Sequence, residues 1–162
     1  MKYSLFFATF FLVCTFAGCS GSPSALKNLS PVSITVVKDG QPLEDVEVML
    51  FAHQPTEVWT CTGRTDGSGV AVVVSSFQQS SASGAKAGAY AVVLDKRAQL
   101  PPELKPPLPG QQEDAAQRAK RTEFESKNQV IPKVLQAKET TPIELTVTEK
   151  TPATLTIDVA KY

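Results

Sequence analysis

Residues 32–52 read VSITVVKDGQPLEDVEVMLFA, and this stretch decides the fold. Val32, Ile34 and Val36 alternate with polar residues, a period of two that is typical of a strand with one buried face. Asp39-Gly40 follows and supplies the positive φ angles that a tight turn requires. The alternation then resumes over residues 46–52. The stretch therefore predicts two neighbouring strands that pair with each other.

Five further segments have the same strand character, and each is bounded by turn residues. They comprise residues 58–62, 70–74, 89–95, 143–148 and 153–159. The last two flank the turn at 149–152, and we expect them to form a C-terminal hairpin. Short strands at this spacing, with no βαβ unit, predict an all-β sandwich of seven strands.

Residues 97–132 interrupt the strand pattern and predict an insertion before the last two strands. Five prolines between Pro101 and Pro109 favour an extended chain and exclude the interior of a sheet. The segment that follows has a helix-forming composition, with acidic residues first and basic residues later, an order that suits the helix dipole. Its apolar face is thin, so we expect a solvated helix held at most by Phe124, or a disordered segment. A proline-rich ligand for a partner domain is the alternative.

Residues 1–18 have the organisation of an export signal. Lys2 precedes the apolar run Leu5–Phe16, which is too short for a membrane-spanning helix of roughly 20 residues. Ala17-Gly18-Cys19 resembles the lipobox of bacterial lipoproteins, which implies general export, lipidation of Cys19 and anchoring in the cell envelope. By the same resemblance Ser20 favours the outer over the inner membrane. Cleavage after Ala17, which would leave Cys19 unmodified, is the alternative.

Residues 19–31 are rich in Ser, Pro and Gly and predict a flexible tether before a single domain at residues 32–162. Cys14 leaves with the leader and Cys19 is lipidated, so we expect no disulfide within the domain. Cys61 remains, and it has no His, Lys or Arg within two residues that would lower its pKa. We therefore expect Cys61 to be a small buried residue and not a reactive thiol.

The composition offers little chemistry beyond the anchor. Sixteen basic and sixteen acidic residues leave no basic excess for nucleic acid. His53 is the only histidine, so no metal site of His ligands is expected. The DGSG sequence at Asp66 predicts a tight turn, because a calcium loop would need a glutamate where Phe77 stands. Trp59 is a packed residue or, if exposed, a flat ring on which a sugar could stack.

The strand pattern also resembles a known family. Residues 32–52 look like the opening of carboxypeptidase regulatory-like, transthyretin-like domains, whose first strands flank a DG-x-P-L-x-x-V-x-V turn. The segments TDGSGVAVV at 65–73, GAKAGAYAVVLDK at 84–96 and IPKVLQAKETTPIELTVTE at 131–149 are similar to later parts of such domains. In the third segment, Leu135 replaces an aromatic residue and Thr141 replaces serine.

This resemblance, over residues 32–159, implies a prealbumin-like (Ig-like) β-sandwich of seven strands that is usually non-enzymatic, with an unassigned ligand. The related hydroxyisourate hydrolases use several histidines, an arginine and a C-terminal Tyr-Arg-Gly-Ser. This chain has one histidine and ends at Val159-Ala160-Lys161-Tyr162, which argues against that activity.

The sequence thus predicts a lipid-anchored envelope protein with a non-catalytic structural or binding role, without cofactor, metal or catalytic residues. Its partners are the membrane, through Cys19, and a protein or glycan, but not nucleic acid. Ligand contact is expected at the loops around Asp39, Asp66 and Gly84. The alternative is a carbohydrate- or cell-wall-binding module that uses Trp59 and Tyr90.

Overall fold

The computed structural model describes residues 24–54, 60–97, 100–107 and 114–162. Ten strands and one α-helix occur in this part of the chain. The strands are β1 Val32–Lys38, β2 Gln41–Pro42, β3 Glu47–Ala52, β4 Thr60–Arg64, β5 Val70–Val72, β6 Val74–Phe77, β7 Ser80–Ser83, β8 Gly88–Asp95, β9 Glu144–Val147 and β10 Ala153–Asp158. The helix is α1 Ala115–Lys127.

The strands form two sheets that enclose one core, so the prediction of an all-β sandwich is confirmed. In the smaller sheet, β1 lies between β10 on one side and β2 and β5 on the other. The larger sheet has the order β7-β6-β4-β3-β8-β9. Neighbouring strands are antiparallel except β1 and β10, which run parallel.

The core consists of the alternating apolar residues of both sheets, as the sequence pattern predicts. Val32, Ile34 and Val36 of β1 face Val48 and Leu50 of β3, and all five side chains are buried in one hydrophobic cluster. The cluster also contains Tyr90, Val92 and Leu94 of β8 and Ile143, Leu145, Val147 and Ile157 near the C-terminus.

The expected pairing of the first two strands is wrong. β1 and β3 lie in different sheets, where β1 pairs with β10, β2 and β5, and β3 pairs with β4 and β8. Asp39 and Gly40 do adopt positive φ angles of 52° and 76°, but their tight turn leads into the short strand β2. The chain then crosses to the other sheet, with a further positive φ of 61° at Asp45.

The expected C-terminal hairpin is also wrong, since β9 pairs with β8 and β10 pairs with β1. The strand predicted at residues 70–74 is divided between the sheets, β5 in the smaller one and β6 in the larger one. Val73, between them, is fully buried and its N–H donates to the Val32 carbonyl at 3.0 Å. A further strand, β7, follows Phe77 and was not among the predicted strands.

Residues 24–31, the second part of the predicted tether, pack against the sandwich. Ser24–Leu26 forms a 3₁₀ turn that contacts β6, and Ala25 and Leu26 are buried. The first part of the tether and the whole predicted signal segment lie outside the described residues.

The insertion between β8 and β9 contains a 3₁₀ turn at Pro102–Leu104 and helix α1. The Asp114 side chain caps the helix by accepting from the Ala116 N–H at 3.2 Å. No residue of α1 is buried, and Phe124 is half-buried, in keeping with the thin apolar face seen in the sequence. The helix therefore lies on the surface, where it forms one wall of a cleft.

Candidate functional site

The charged end of the sandwich is where β3 begins and where β4 and β8 end. Three ionisable residues form a row across these strands, because Glu47 pairs with Arg64 on one side and with Asp95 on the other. Residues that pair directly across a sheet place their side chains on the same face. Two carboxylates, Glu47 and Asp95, are therefore neighbours on adjacent strands.

Two arginines offset this like-charge contact. Arg64 donates from Nη1 to Asp45 Oδ1 at 2.8 Å, and this hydrogen bond and the charge of Asp45 raise the pKa of Arg64. The Arg97 Nε atom lies 3.8 Å from Asp95 Oδ2, a looser ion pair, and the Arg97 side chain is 91% exposed. Arg97 therefore presents most of its guanidinium to solvent.

Glu44 and Asp45 lie between β2 and β3, and we call them the acidic corner. Thr65 holds this corner in place. Its hydroxyl donates to the Leu43 carbonyl at 2.6 Å and accepts from the Val46 N–H at 2.8 Å. The Asp45 N–H also donates to the Thr65 carbonyl, and the Thr65 N–H to the Val46 carbonyl. Because Thr65 is almost fully buried, these four bonds fix the backbone of Glu44 and Asp45.

A cleft of about 560 Å³ lies between this corner and helix α1. Its lining comprises Glu44, Asp45, Thr65, Lys96, Arg97, Phe124, Asn128 and Val130. Lys96, directly after β8, connects that end of the strand to the loop before β3, since its Nζ donates to the Glu44 carbonyl. Phe124 and Val130 supply apolar surface from the insertion, so the cleft combines charged and apolar walls.

A second depression of about 520 Å³ adjoins the first and shares Lys96 and Arg97 with it. Its remaining lining is Asp95, Leu100, Pro106, Arg121, Glu125 and Gln129. The two depressions together form an elongated cleft, and we call it the charged cleft. Lys96 and Arg97 belong to both parts, so a ligand in either part meets them, and Arg97 is the more exposed of the two.

Of the residues singled out from the sequence, Cys19 and Trp59 lie outside the described residues. Cys61 is buried, as predicted, and its Sγ lies 3.2 Å from the Ser75 hydroxyl, which donates to the Gly84 carbonyl. Tyr90 is buried too, and desolvation together with Cys61 raises its pKa to about 12. Tyr90 therefore does not offer an exposed ring to a sugar.

His53 follows β3 at the opposite end of the sheet from the charged cleft. Its Nε2 atom lies 3.4 Å from Glu144 Oε1, and the two side chains are 43% and 69% exposed. Among the described residues, no group of three or more His, Cys, Asp or Glu is arranged to hold a metal ion.

The DGSG segment forms a tight turn, as its sequence predicts. Asp66 Oδ1 accepts from the Ser68 N–H at 2.9 Å, the Ser68 hydroxyl at 2.6 Å and the Val70 N–H at 3.0 Å. The Ser68 hydroxyl bond is the main reason that the pKa of Asp66 is lowered. The Asp66 carboxylate therefore stabilises its own turn through these three hydrogen bonds.

The loops expected to contact a ligand are distributed over both ends of the sandwich. Asp39 and Asp66 lie at the end of the charged cleft but do not line it, and Gly84 is buried against Ser30 at the other end. The cleft residues Lys96, Arg97, Arg121 and Phe124 were not predicted as a site. The only feature of the sequence that could have indicated this site is a lysine and an arginine directly after a predicted strand and before the insertion.

Comparisons with protein-family models, with curated proteins and with solved structures found no significant match. Within the part of the chain described here, no helix is both long and apolar enough to cross a membrane.

Proposed function

We propose that this protein is a lipid-anchored, non-catalytic binding module of the bacterial cell envelope, with the charged cleft as its binding site. The observation that carries the proposal is the position of Arg97, which is 91% exposed, only loosely paired with Asp95 and common to both parts of the cleft. A guanidinium in this setting binds a carboxylate through charge-assisted, bidentate hydrogen bonds.

The shape and lining of the cleft favour an extended polypeptide segment as its ligand. The two depressions share Lys96 and Arg97 in their lining, so an elongated ligand can occupy both. Glu44 and Glu125 supply acceptors for its N–H groups or basic side chains, and Phe124 supplies apolar contact. An acidic side chain of the segment pairs with Arg97.

The resemblance to carboxypeptidase regulatory-like domains belongs to the same proposal. Two sheets around one core and a turn of positive φ at Asp39-Gly40 support a prealbumin-like fold. The lipobox-like sequence before Cys19 supports the lipid anchor and the envelope location. Mass spectrometry of the mature N-terminus tests the anchor, and an unmodified Cys19 would refute it.

Peptide binding tests the cleft. An array of acidic, basic and neutral peptides is probed with residues 19–162 carrying Cys19→Ser, which removes the N-terminal thiol. We expect acidic peptides to bind, and Arg97→Gln to weaken that binding by about tenfold to a hundredfold, since a charge-assisted hydrogen bond contributes about 1.5–3 kcal/mol.

Lys120→Gln is the matched control, because Lys120 is an exposed residue of α1 outside the cleft lining and loses the same charge. It should bind like the wild type. Binding to no peptide, or equal loss in both variants, would reject the charged cleft as a peptide site.

A further inference from the structure

The segment that connects the anchor to the sandwich is docked over most of its length. Ala25 and Leu26 are buried at 2% and 6% exposure, and their 3₁₀ turn contacts β6. Ser30 is fully buried and pairs with Ala85, with N···O distances of 2.8 and 3.0 Å in the two directions. The Ser30 hydroxyl also donates to the Thr148 carbonyl at 2.8 Å. From Ser24 onward, the chain therefore moves with the domain.

The number of residues between the anchor and the docked segment is small. Only five Cα–Cα steps separate Cys19 from Ser24, so the intervening chain spans at most about 18 Å even when fully extended. A lipid on Cys19 thus keeps the docked segment within about this distance of the membrane surface.

The docked segment and the charged cleft lie at opposite ends of the sandwich. Ser30 leads into the start of β1, next to Ala85 and to Thr148 after β9, and we call this end the base. The cleft lies where β8 ends, and β8 is eight residues long, which corresponds to about 26 Å at 3.3 Å per residue. The base therefore lies closer to the anchor than the cleft does.

The charges at the base suit an anionic membrane surface. Lys27 lies in the docked segment, Lys86 lies in the loop between β7 and β8, and Lys150 lies in the turn after β9. Glu149 is the carboxylate of the same turn. Lysine side chains next to a bilayer are attracted to the negative charge of anionic lipids.

From these observations we infer that the base of the sandwich faces the membrane and that the charged cleft points away from it. The inference rests on the proposed lipid anchor at Cys19. The anchor would then orient the cleft as well as retain the protein, because a short connection and a docked segment leave the domain few orientations relative to the bilayer.

Lysine footprinting on vesicles tests this orientation. Residues 19–162 are coupled through Cys19 to a maleimide lipid in vesicles of phosphatidylcholine and phosphatidylglycerol, and exposed lysines are then acetylated and quantified by mass spectrometry. We expect acetylation of Lys27, Lys86 and Lys150 to fall several-fold relative to the uncoupled chain. Lys38, at the far end of β1, and Lys161 should react as before.

A variant with a flexible Gly-Ser spacer of about 20 residues between Ser20 and Gly21 is the control, because it lengthens the reach to Ser24. It should restore acetylation at the three base lysines. Equal acetylation of all lysines, or protection of Lys38 in place of Lys150, would overturn the orientation. The coupling is chemical, so this result is independent of native lipidation, which the mass of the mature N-terminus tests separately.

Discussion

Ser30 and Ala85 form a two-way backbone bridge, in which each N–H donates to the carbonyl of the other residue. Gly84 is packed directly against this bridge. A Cβ atom at Gly84 would lie 2.3 Å from the Ser30 carbonyl oxygen, and the residue has a φ of +105°. The absence of a side chain at Gly84 therefore permits the docking of the N-terminal segment.

Gly84→Ala should reduce the free energy of unfolding by at least about 2 kcal/mol, because it adds a steric clash to an unfavourable backbone angle. Urea unfolding measures this, and amide exchange at Ser30 should accelerate. Gly40→Ala is the control, with a φ of +76° but open space around the new Cβ. It should cost only about 1 kcal/mol. Equal losses in both variants would mean that the clash at Ser30 is relieved without undocking.

Thr65→Val should destabilise the protein and loosen the wall of the charged cleft. Valine has the shape of threonine but can neither donate to the Leu43 carbonyl nor accept from the Val46 N–H. Leaving these buried groups unsatisfied costs about 1–3 kcal/mol each. Urea unfolding and amide exchange at Asp45 measure the two effects.

Thr65→Ser keeps the hydroxyl and should stay within about 1 kcal/mol of the wild type, the cost of one buried methyl group. If Thr65→Val and Thr65→Ser were equally stable, the hydroxyl would not be what fixes the acidic corner.

The strand alternation predicted which side chains are buried but not which strands are neighbours. Val32, Ile34 and Val36 were correctly placed in the core, yet β1 pairs with β10 at the other end of the sequence. Period-two alternation determines a face and carries no information about the edge at which a partner lies. Both predicted hairpins failed for this reason.

The charged cleft was not predicted because its residues come from separate segments. Glu44 precedes β3, Arg97 follows β8, and Phe124 belongs to a helix that the sequence shows to be only weakly amphipathic. Each of these residues alone is an ordinary surface residue. By contrast, the Asp66 turn and the burial of Cys61 depend on local sequence and were predicted correctly.

Asp66→Asn should show a stability difference from the wild type that depends on pH. The folded state lowers the pKa of Asp66, so the ionised carboxylate stabilises the fold. This contribution is present above the unfolded pKa of about 3.9 and is lost as the pH falls through the lower folded value.

We therefore expect the stability of the wild type to fall towards that of Asp66→Asn as the pH drops below about 4. Urea unfolding at several pH values measures the difference. Asp66→Ala, which also removes the Oδ1 acceptor of three hydrogen bonds, should be the least stable of the three at neutral pH. A difference between wild type and Asp66→Asn that stays constant with pH would contradict the assignment.

Tyr90→Phe should make the protein less sensitive to alkaline pH. Burial raises the pKa of Tyr90 to about 12, whereas an unfolded tyrosine titrates near 10. Between these values the unfolded chain loses the proton first, so the stability of the wild type falls as the pH rises, with a limiting slope of about 1.4 kcal/mol per pH unit. Phenylalanine has no proton to lose.

At neutral pH the variant should be less stable by about 1 kcal/mol, because the Tyr90 hydroxyl donates to the Lys86 carbonyl at 2.8 Å. The wild type should therefore lose this advantage and become the less stable of the two between pH 10 and pH 12, as measured by urea unfolding. Lysine titration is common to both proteins and cancels in their difference. Parallel curves over this range would show that Tyr90 ionises as readily in the folded state as in the unfolded chain.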